Sequence, residues 1–126
     1  MTKLSCDVIF ALQGKTLATA ESCTGGGIGA ALTAVPGSSK VYKGGIISYT
    51  SDVKIKALGV KPDLLSAEGA VSAKVAEAMA IGVRKVLNTD IAVSVTGLAG
   101  PDGLLHILGC TAPGMGHIGY NEIRML

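Results

Sequence analysis

The stretch Ala20-Glu21-Ser22-Cys23-Thr24-Gly25-Gly26-Gly27-Ile28-Gly29 decides the fold of this chain. A strand-forming run over residues 15–20 precedes it, and a helical pattern of small apolar residues over 28–35 follows. The stretch is therefore predicted to join a buried strand to the start of a helix. Free backbone N–H groups and the positive end of the helix dipole meet there, which favours a phosphate or a developing oxyanion. Ser22 and Cys23 add two candidate nucleophiles.

Strands and helices alternate on both sides of this stretch. Further strands are predicted at 44–49 and 91–96, and helices at 4–12, 52–58 and 61–67. Ser51 and Ser72 are predicted helix caps. The Ser72 helix has an apolar face made of Val75, Met79, Gly82, Val83 and Val86. The alternation indicates an α/β layered sheet, in which ligands bind beyond the carboxyl ends of the strands.

Three loops that follow predicted strands carry polar or glycine-rich residues. They are Glu21-Ser22-Cys23, Tyr49-Thr50-Ser51 and Thr96-Gly97. If the strands are parallel, these loops meet at one edge of the sheet, and we expect a functional site there.

The composition is that of one small domain spanning residues 1–126, with a core of aliphatic side chains. Hydrophobic residues make up 48% of the chain and aromatic residues 3%, and the 18 glycines lie at element boundaries. A net charge of +2 with so few aromatic residues argues against nucleic acid as a partner. Three cysteines without disulfide spacing, no secretory signal and no long apolar segment predict a cytoplasmic protein that does not bind membranes. The abundant small residues favour a homo-oligomer.

The glycine stretch also has a competing interpretation. Gly25-x-Gly27-x-x-Ala30 formally matches the dinucleotide-binding fingerprint. The match is weak, because the strand that should carry an acidic partner for the ribose ends in Tyr49. Close packing of the helix on the sheet explains Gly27 and Gly29 more simply. The ending of a Walker A motif is absent.

A serine nucleophile needs a base, and both histidines lie in the C-terminal tail. Lys54 shares a helical face with Leu58, so it can be drawn inward, where burial lowers the pKa of an amine. Lys56 points away and is predicted to be solvated. Structural alternatives stay open, since Ser22 could cap the helix and Cys23 could be a small buried residue.

The tail residues His106, Cys110 and His117 lack a fourth ligand and a recognisable metal-site spacing. We therefore predict no metal site.

Several ordered blocks resemble a known family. The run Thr19-Ala20-Glu21-Ser22-Cys23-Thr24-Gly25-Gly26 is similar to the signature of the CinA C-terminal domain, the competence/damage-inducible protein family. Further blocks agree in order over residues 4–103. They are Pro36-Gly37-Ser38-Ser39, Gly44-Gly45-Ile46-Ile47-Ser48-Tyr49 with Lys54, Leu58-Gly59-Val60, Gly69-Ala70-Val71-Ser72 and Val95-Thr96-Gly97-Leu98-Ala99-Gly100-Pro101.

The resemblance implies a three-layer α/β/α sandwich with a mixed, mostly parallel sheet. It also implies a nicotinamide-nucleotide amidohydrolase that converts nicotinamide mononucleotide to nicotinic acid mononucleotide and ammonia without a cofactor. By position, Ser22 would be the nucleophile, and Tyr49 and Lys54 would assist proton transfer. The substrate site would be lined by Glu21, Cys23, Thr24, Gly25, Gly26, Thr96 and Gly97.

Residues 104–126 depart from the family pattern, which continues after this point with a Lys-Pro-Val-Gly strand. The departure leaves open whether the last strands and the final helix of the fold are present. It also keeps a second function open, a nucleotide-binding or interaction domain that has lost its catalytic activity.

Overall fold

A computed structural model describes the backbone of residues 1–98, 103–110 and 117–124, and the side chains of residues 1–98. The helices and the first three strands follow the predicted order. The helices are α1 (Lys3–Ala11), α2 (Gly27–Thr33), α3 (Ser51–Leu58), α4 (Pro62–Glu68) and α5 (Ala73–Leu87), with a 3-10 turn at Ser38–Lys40. The strands are β1 (Leu17–Glu21), β2 (Tyr42–Ile47), β3 (Ile91–Gly97), β4 (Leu104–Cys110) and β5 (His117–Arg124).

The strands form one mixed sheet in the order β2-β1-β3-β4-β5. The β1 strand pairs in parallel with both β2 and β3, whereas β4 pairs antiparallel to β3 and to β5. Glu21, the last residue of β1, is the register partner of Ile47 and of Val95. The carboxyl ends of the three parallel strands therefore meet at one edge of the sheet, as predicted.

Each face of the sheet is covered by its own apolar layer, which confirms the predicted three-layer sandwich. On one face, α5 packs with the ends of α3 and α4 over Ala18 and Ala20 of β1. Helix α5 approaches α3 so closely that a Cβ at Gly82 would overlap the carbonyl group of Leu58. On the other face, Ile9 of α1 and Leu32 of α2 pack against Leu17.

The described part of the tail, residues 104–110 and 117–124, contributes two strands. Residues 104–110 and 117–124 form β4 and β5, which extend the sheet beyond β3. The sequence left open whether strands follow β3, and the structure shows two of them. Strand β3 therefore lies inside the sheet and not at its edge.

Three local predictions need correction. Thr50, not Ser51, caps α3, because its hydroxyl accepts the N–H of Val53 at 3.4 Å. Val86 is 58% exposed and lies outside the buried face of α5, whereas Ser72 does cap this helix. Strand β2 begins at Tyr42 and ends at Ile47, since these residues pair with the first and last residues of β1.

Candidate active site

Ser22 lies directly beyond β1 and is held by the sheet on both sides. Its N–H donates to the carbonyl oxygen of Val95 at 3.0 Å. The N–H of Ser48, just beyond β2, donates to the carbonyl oxygen of Glu21 at 2.7 Å. The parallel pairing thus continues for one step past the strand ends, and it fixes the backbone of the candidate nucleophile. Ser22 is buried.

Lys54 brings its amine to Ser22 from the first turns of α3. The side chain is only 1% exposed, and Nζ lies 2.9 Å from Ser22 Oγ. The same Nζ donates to the carbonyl oxygens of Ser48 at 2.7 Å and Tyr49 at 3.3 Å. The structure therefore brings Ser22 and Lys54 into direct contact. Lys56 points outward and pairs with Asp52 on the surface, as predicted.

Burial destabilises the charged form of Lys54. Burial lowers the pKa of the ammonium group, and the nearby Cys23 opposes this only in part. A neutral amine has two N–H donors and one lone pair. In the structure Nζ donates to Ser22 Oγ, and Ser22 Oγ in turn donates to the carbonyl oxygen of Tyr49 at 3.5 Å. Once the amine is neutral, its two N–H groups can bond the carbonyl oxygens of Ser48 and Tyr49, and its lone pair can accept the Ser22 proton. The 2.9 Å separation of Nζ and Oγ is within the reach that a general base requires.

Cys23, the other candidate nucleophile, is half-buried beside Ser22. Burial raises the pKa of its thiol, although its own N–H, the charge of Lys54 and the N–H of Thr24 act in the opposite direction. The reactive form of cysteine is the thiolate, so a raised pKa makes Cys23 a weaker nucleophile. The electrostatics favour Ser22.

Glu21 has a different position from the one predicted. Its side chain is buried, and it does not line the cleft. One carboxylate oxygen accepts the N–H of Ile28 at 2.9 Å and the Thr24 hydroxyl at 2.8 Å, and the other accepts the N–H of Gly29 at 2.9 Å. The N–H groups of helix α2 that were expected to bind an anion therefore bind this carboxylate instead.

The same contacts bear on the two alternatives for the glycine stretch. The residue that caps α2 is Gly26, so Ser22 is not a helix cap. A dinucleotide would place its pyrophosphate at the N-terminus of α2, where Glu21 already bonds Ile28 and Gly29. Both alternatives are disfavoured. Gly25 and Gly26 have φ values of 61° and 99°, and this left-handed backbone turns the chain from Ser22 into the helix.

A cleft of about 260 Å³ opens onto the Ser22 and Lys54 side chains. Tyr49 and Leu98 lie at its exposed rim, with side chains 71% and 61% exposed. The cleft is lined by Ser22, Cys23, Tyr49, Lys54, Ala70, Val71, Thr96, Gly97 and Leu98. Among the predicted site residues, Thr24, Gly25 and Gly26 belong to the supporting loop and do not line it.

Thr96 and Tyr49 do not present their hydroxyl groups to Ser22 or Lys54. The Thr96 side chain is buried, and its hydroxyl donates to the carbonyl oxygen of Ala70 at 2.8 Å, so it fixes one wall of the cleft. Tyr49 reaches Lys54 through its carbonyl oxygen. The role predicted for its phenol in proton transfer stays a prediction.

Sequence reasoning missed the backbone groups of the site. The carbonyl oxygen of Ser48 orients Lys54, and Ala70 and Val71 form a wall. Every residue has a backbone carbonyl group, so the residue type does not indicate which carbonyl will accept a hydrogen bond from Lys54. Ala70 and Val71 belong to the Gly69–Ser72 block of the family resemblance, which is the signal in the sequence that points to this wall.

Comparison with known proteins decides the family. The model of the CinA C-terminal domain matches residues 2–121. The chain belongs to the CinA C-terminal domain family. A crystal structure of the competence/damage inducible protein CihA from Agrobacterium tumefaciens shares the fold with a TM-score of 0.91 and 36% identity, covering 98% of this chain and 80% of that one.

Curated CinA relatives show higher identity over a shorter stretch. A CinA-like protein of Synechococcus sp. is 63% identical over 90 residues, which is 71% of this chain and 21% of the relative. A putative competence-damage inducible protein of Acetivibrio thermocellus is 60% identical over 88 residues, 70% of this chain and 21% of the relative. The chain thus spans about a fifth of the length of the curated relatives it matches.

Membrane-spanning helices and metal-binding clusters are absent from the described residues. No helix there is long and apolar enough to cross a membrane. No group of three His, Cys, Asp or Glu side chains is placed to hold a metal ion in this part of the chain. His106 and Cys110 lie on β4 and His117 on β5, and their side chains are outside the described residues.

Proposed function

We propose that this chain is an amidohydrolase in which Lys54 activates Ser22, and that its substrate is the carboxamide of nicotinamide mononucleotide. The observation that carries the proposal is the buried Lys54 amine, 2.9 Å from Ser22 Oγ at the base of an open cleft. A buried lysine with a lowered pKa is a known way to activate a hydroxyl nucleophile. The substrate class comes from the family resemblance.

The reaction follows from the two side chains. Ser22 Oγ attacks the carboxamide carbon while its proton passes to Lys54 Nζ. The tetrahedral intermediate then breaks its C–N bond, and Lys54 returns the proton to the departing nitrogen, which leaves as ammonia. Water attacks the resulting ester on Ser22 and gives its proton to Lys54. Cleavage of the ester releases nicotinic acid mononucleotide, and Lys54 returns the proton to Ser22.

Loop amides are the candidate donors for the oxyanion. The N–H groups of Cys23 and Thr24 face the Cys23 thiol, where they lower its pKa. Such backbone donors beside a nucleophile can stabilise the negative charge that forms on the amide oxygen. In this proposal they replace the N–H groups of helix α2, since Glu21 takes those of Ile28 and Gly29.

The test is ammonia release from nicotinamide mononucleotide by the wild type and two matched variants. Ser22→Ala should abolish turnover, and Cys23→Ala, which alters the neighbouring residue of the same loop, should retain it. Activity that survives Ser22→Ala and is lost in Cys23→Ala would instead assign a thiol nucleophile.

Calorimetry with the same mononucleotide separates catalysis from the second function that the sequence left open. Binding with turnover supports the amidohydrolase. Binding by the wild type without turnover supports a domain that binds nucleotides and has lost its activity. Tighter binding of the dinucleotide than of the mononucleotide would favour a dinucleotide-binding module.

A further inference from the structure

A chain of buried and partly buried hydrogen bonds leads from the outer strand β2 to the nucleophile loop. The Tyr42 hydroxyl lies 2.7 Å from Thr19 Oγ1, which lies 3.3 Å from Glu21 Oε2. Thr19 and Glu21 alternate along β1, so both side chains point to the face of the sheet that α2 covers. None of these three side chains lines the cleft around Ser22.

The hydrogen bonds that connect Tyr42, Thr19 and Glu21 all run in one direction, from donor to acceptor toward Glu21. A carboxylate only accepts, so the single hydroxyl proton of Thr19 is donated to Glu21. Tyr42 must then donate its own proton to Thr19. Burial raises the pKa of the Tyr42 phenol; the hydrogen bond with Thr19 lowers it in part, and the charge of Glu21 raises it again. Because the net shift is upward, the phenol keeps the proton that it donates.

The fold makes room for the Tyr42 hydroxyl at a cost. A Cβ at Gly29 or at Gly45 would lie 2.7 Å from that hydroxyl oxygen, closer than carbon and oxygen atoms approach without a shift. Gly29 is inside helix α2 and Gly45 is inside strand β2, and glycine is unfavourable in the interior of either element. Two glycines thus create the niche that lets Tyr42 reach β1.

Glu21 links this niche to the nucleophile. With Thr19, Gly29, Thr24 and Ile28 as donors, each carboxylate oxygen accepts two hydrogen bonds. The loop from Ser22 to Gly26 therefore has both ends tied to residue 21, one by the peptide bond and the other by the carboxylate. A change in the carboxylate's position would shift the loop against Lys54, which is anchored separately by α3.

We propose that Tyr42 and Thr19 are positioning residues for the nucleophile, acting through Glu21 to set the loop that carries Ser22 against Lys54. The inference deepens the proposed function and depends on Ser22 being the nucleophile, but it does not depend on the identity of the substrate. Removal of the Tyr42 or the Thr19 hydroxyl should lower the reactivity of Ser22 and leave the lining of the cleft intact.

The experiment measures the rate at which a fluorophosphonate probe labels Ser22. Ser22 Oγ forms a bond to phosphorus as fluoride leaves, and Lys54 takes the hydroxyl proton. We expect Tyr42→Phe and Thr19→Val each to slow this labelling by about fivefold, as the loss of one hydrogen bond implies. Thr19→Ser keeps the hydroxyl and should restore most of the rate.

A matched control distinguishes positioning from general stability. Thr16 makes a similar set of bonds at the other end of β1, where its N–H and hydroxyl bond Asp90 Oδ2 at 2.9 and 3.1 Å. Thr16→Val should lower the melting temperature and leave the labelling rate unchanged. Melting curves of all four variants show how far each one is destabilised.

The outcomes are distinct for the two proposals. Labelling rates of Tyr42→Phe and Thr19→Val that stay within twofold of the wild type overturn the inference, as does equal slowing in Thr16→Val. If Thr19→Val fails to fold, the labelling rate of Tyr42→Phe alone tests the inference. A wild type that labels at Ser22 but does not hydrolyse nicotinamide mononucleotide refutes the proposed substrate and leaves this test intact. A wild type that does not label at Ser22 overturns the inference.

Discussion

The polar groups at the two ends of the parallel strands differ in their exposure to solvent. At the amino end, Thr16 and Asp90 join β1 to β3 by three hydrogen bonds that are exposed to solvent. At the carboxyl end, Ser22 and Lys54 are withdrawn from water. Polar groups that only fasten strands can stay hydrated, whereas burial of an amine costs free energy. The difference supports the proposal that the carboxyl end serves catalysis.

The largest effect expected at the carboxyl end comes from Lys54→Met, which keeps the length of the side chain and removes the base. Turnover of nicotinamide mononucleotide should fall by at least about 100-fold, the usual loss when a general base is removed. Steady-state kinetics on folded protein, verified by circular dichroism, measures the loss. Lys56→Met changes an exposed lysine of the same helix and serves as the control. Equal losses in both variants would contradict the assignment.

The pH dependence is the next largest effect. Burial lowers the pKa of Lys54, and only the neutral amine can accept a proton from Ser22. The rate should therefore rise with pH while Lys54 loses its proton, and it should level off below the pH at which an ordinary lysine titrates. A profile of kcat/KM against pH measures this limb. A rate that falls as the pH rises through this range would rule out a neutral lysine base.

A smaller effect is expected where the cleft wall is fixed. Thr96→Val removes the hydrogen bond to the carbonyl oxygen of Ala70 and leaves that oxygen without this donor. KM should rise by about fivefold, the loss of roughly one hydrogen bond, with a smaller change in kcat. Kinetics over a range of substrate concentrations separates the two constants. A fall in kcat with unchanged KM would place Thr96 in the chemical step instead of the wall.

The smallest effect on activity is expected at the amino end. The N–H and hydroxyl of Thr16 lower the pKa of Asp90, so its contribution to stability is present above the pKa of an unfolded aspartate and is lost as the pH falls through the folded value. Asp90→Asn should remove this acid-dependent part of the unfolding free energy and leave turnover unchanged. Denaturant unfolding between acidic and neutral pH measures it. A loss of turnover would show that the two ends are coupled.

The contrast between the two ends was partly predictable. Strands, glycine-rich loops and a lysine on the inner face of a helix are visible as patterns, and parallel pairing brings their ends together. The convergence of Ser22, Lys54 and Thr96 therefore follows from the sequence. The family resemblance added the preference for Ser22 over Cys23, and burial of the thiol independently favours the same choice.

The remaining parts could not be predicted, for physical reasons. A buried glutamate before a serine gives no sign that it will bond N–H groups seven and eight residues ahead. The acceptors that orient Lys54 are backbone carbonyls, which every residue has. Thr50 and Ser51 are both good helix caps, so their order in the sequence could not decide between them.

Activation of Ser22 by Lys54 can be measured by fluorophosphonate labelling followed by peptide mapping. One adduct is expected, on Ser22. It should form faster as the pH rises and at least about 100-fold more slowly in Lys54→Met. An adduct on Cys23, or a Ser22 adduct that forms at the same rate in Lys54→Met, would contradict activation of Ser22 by Lys54.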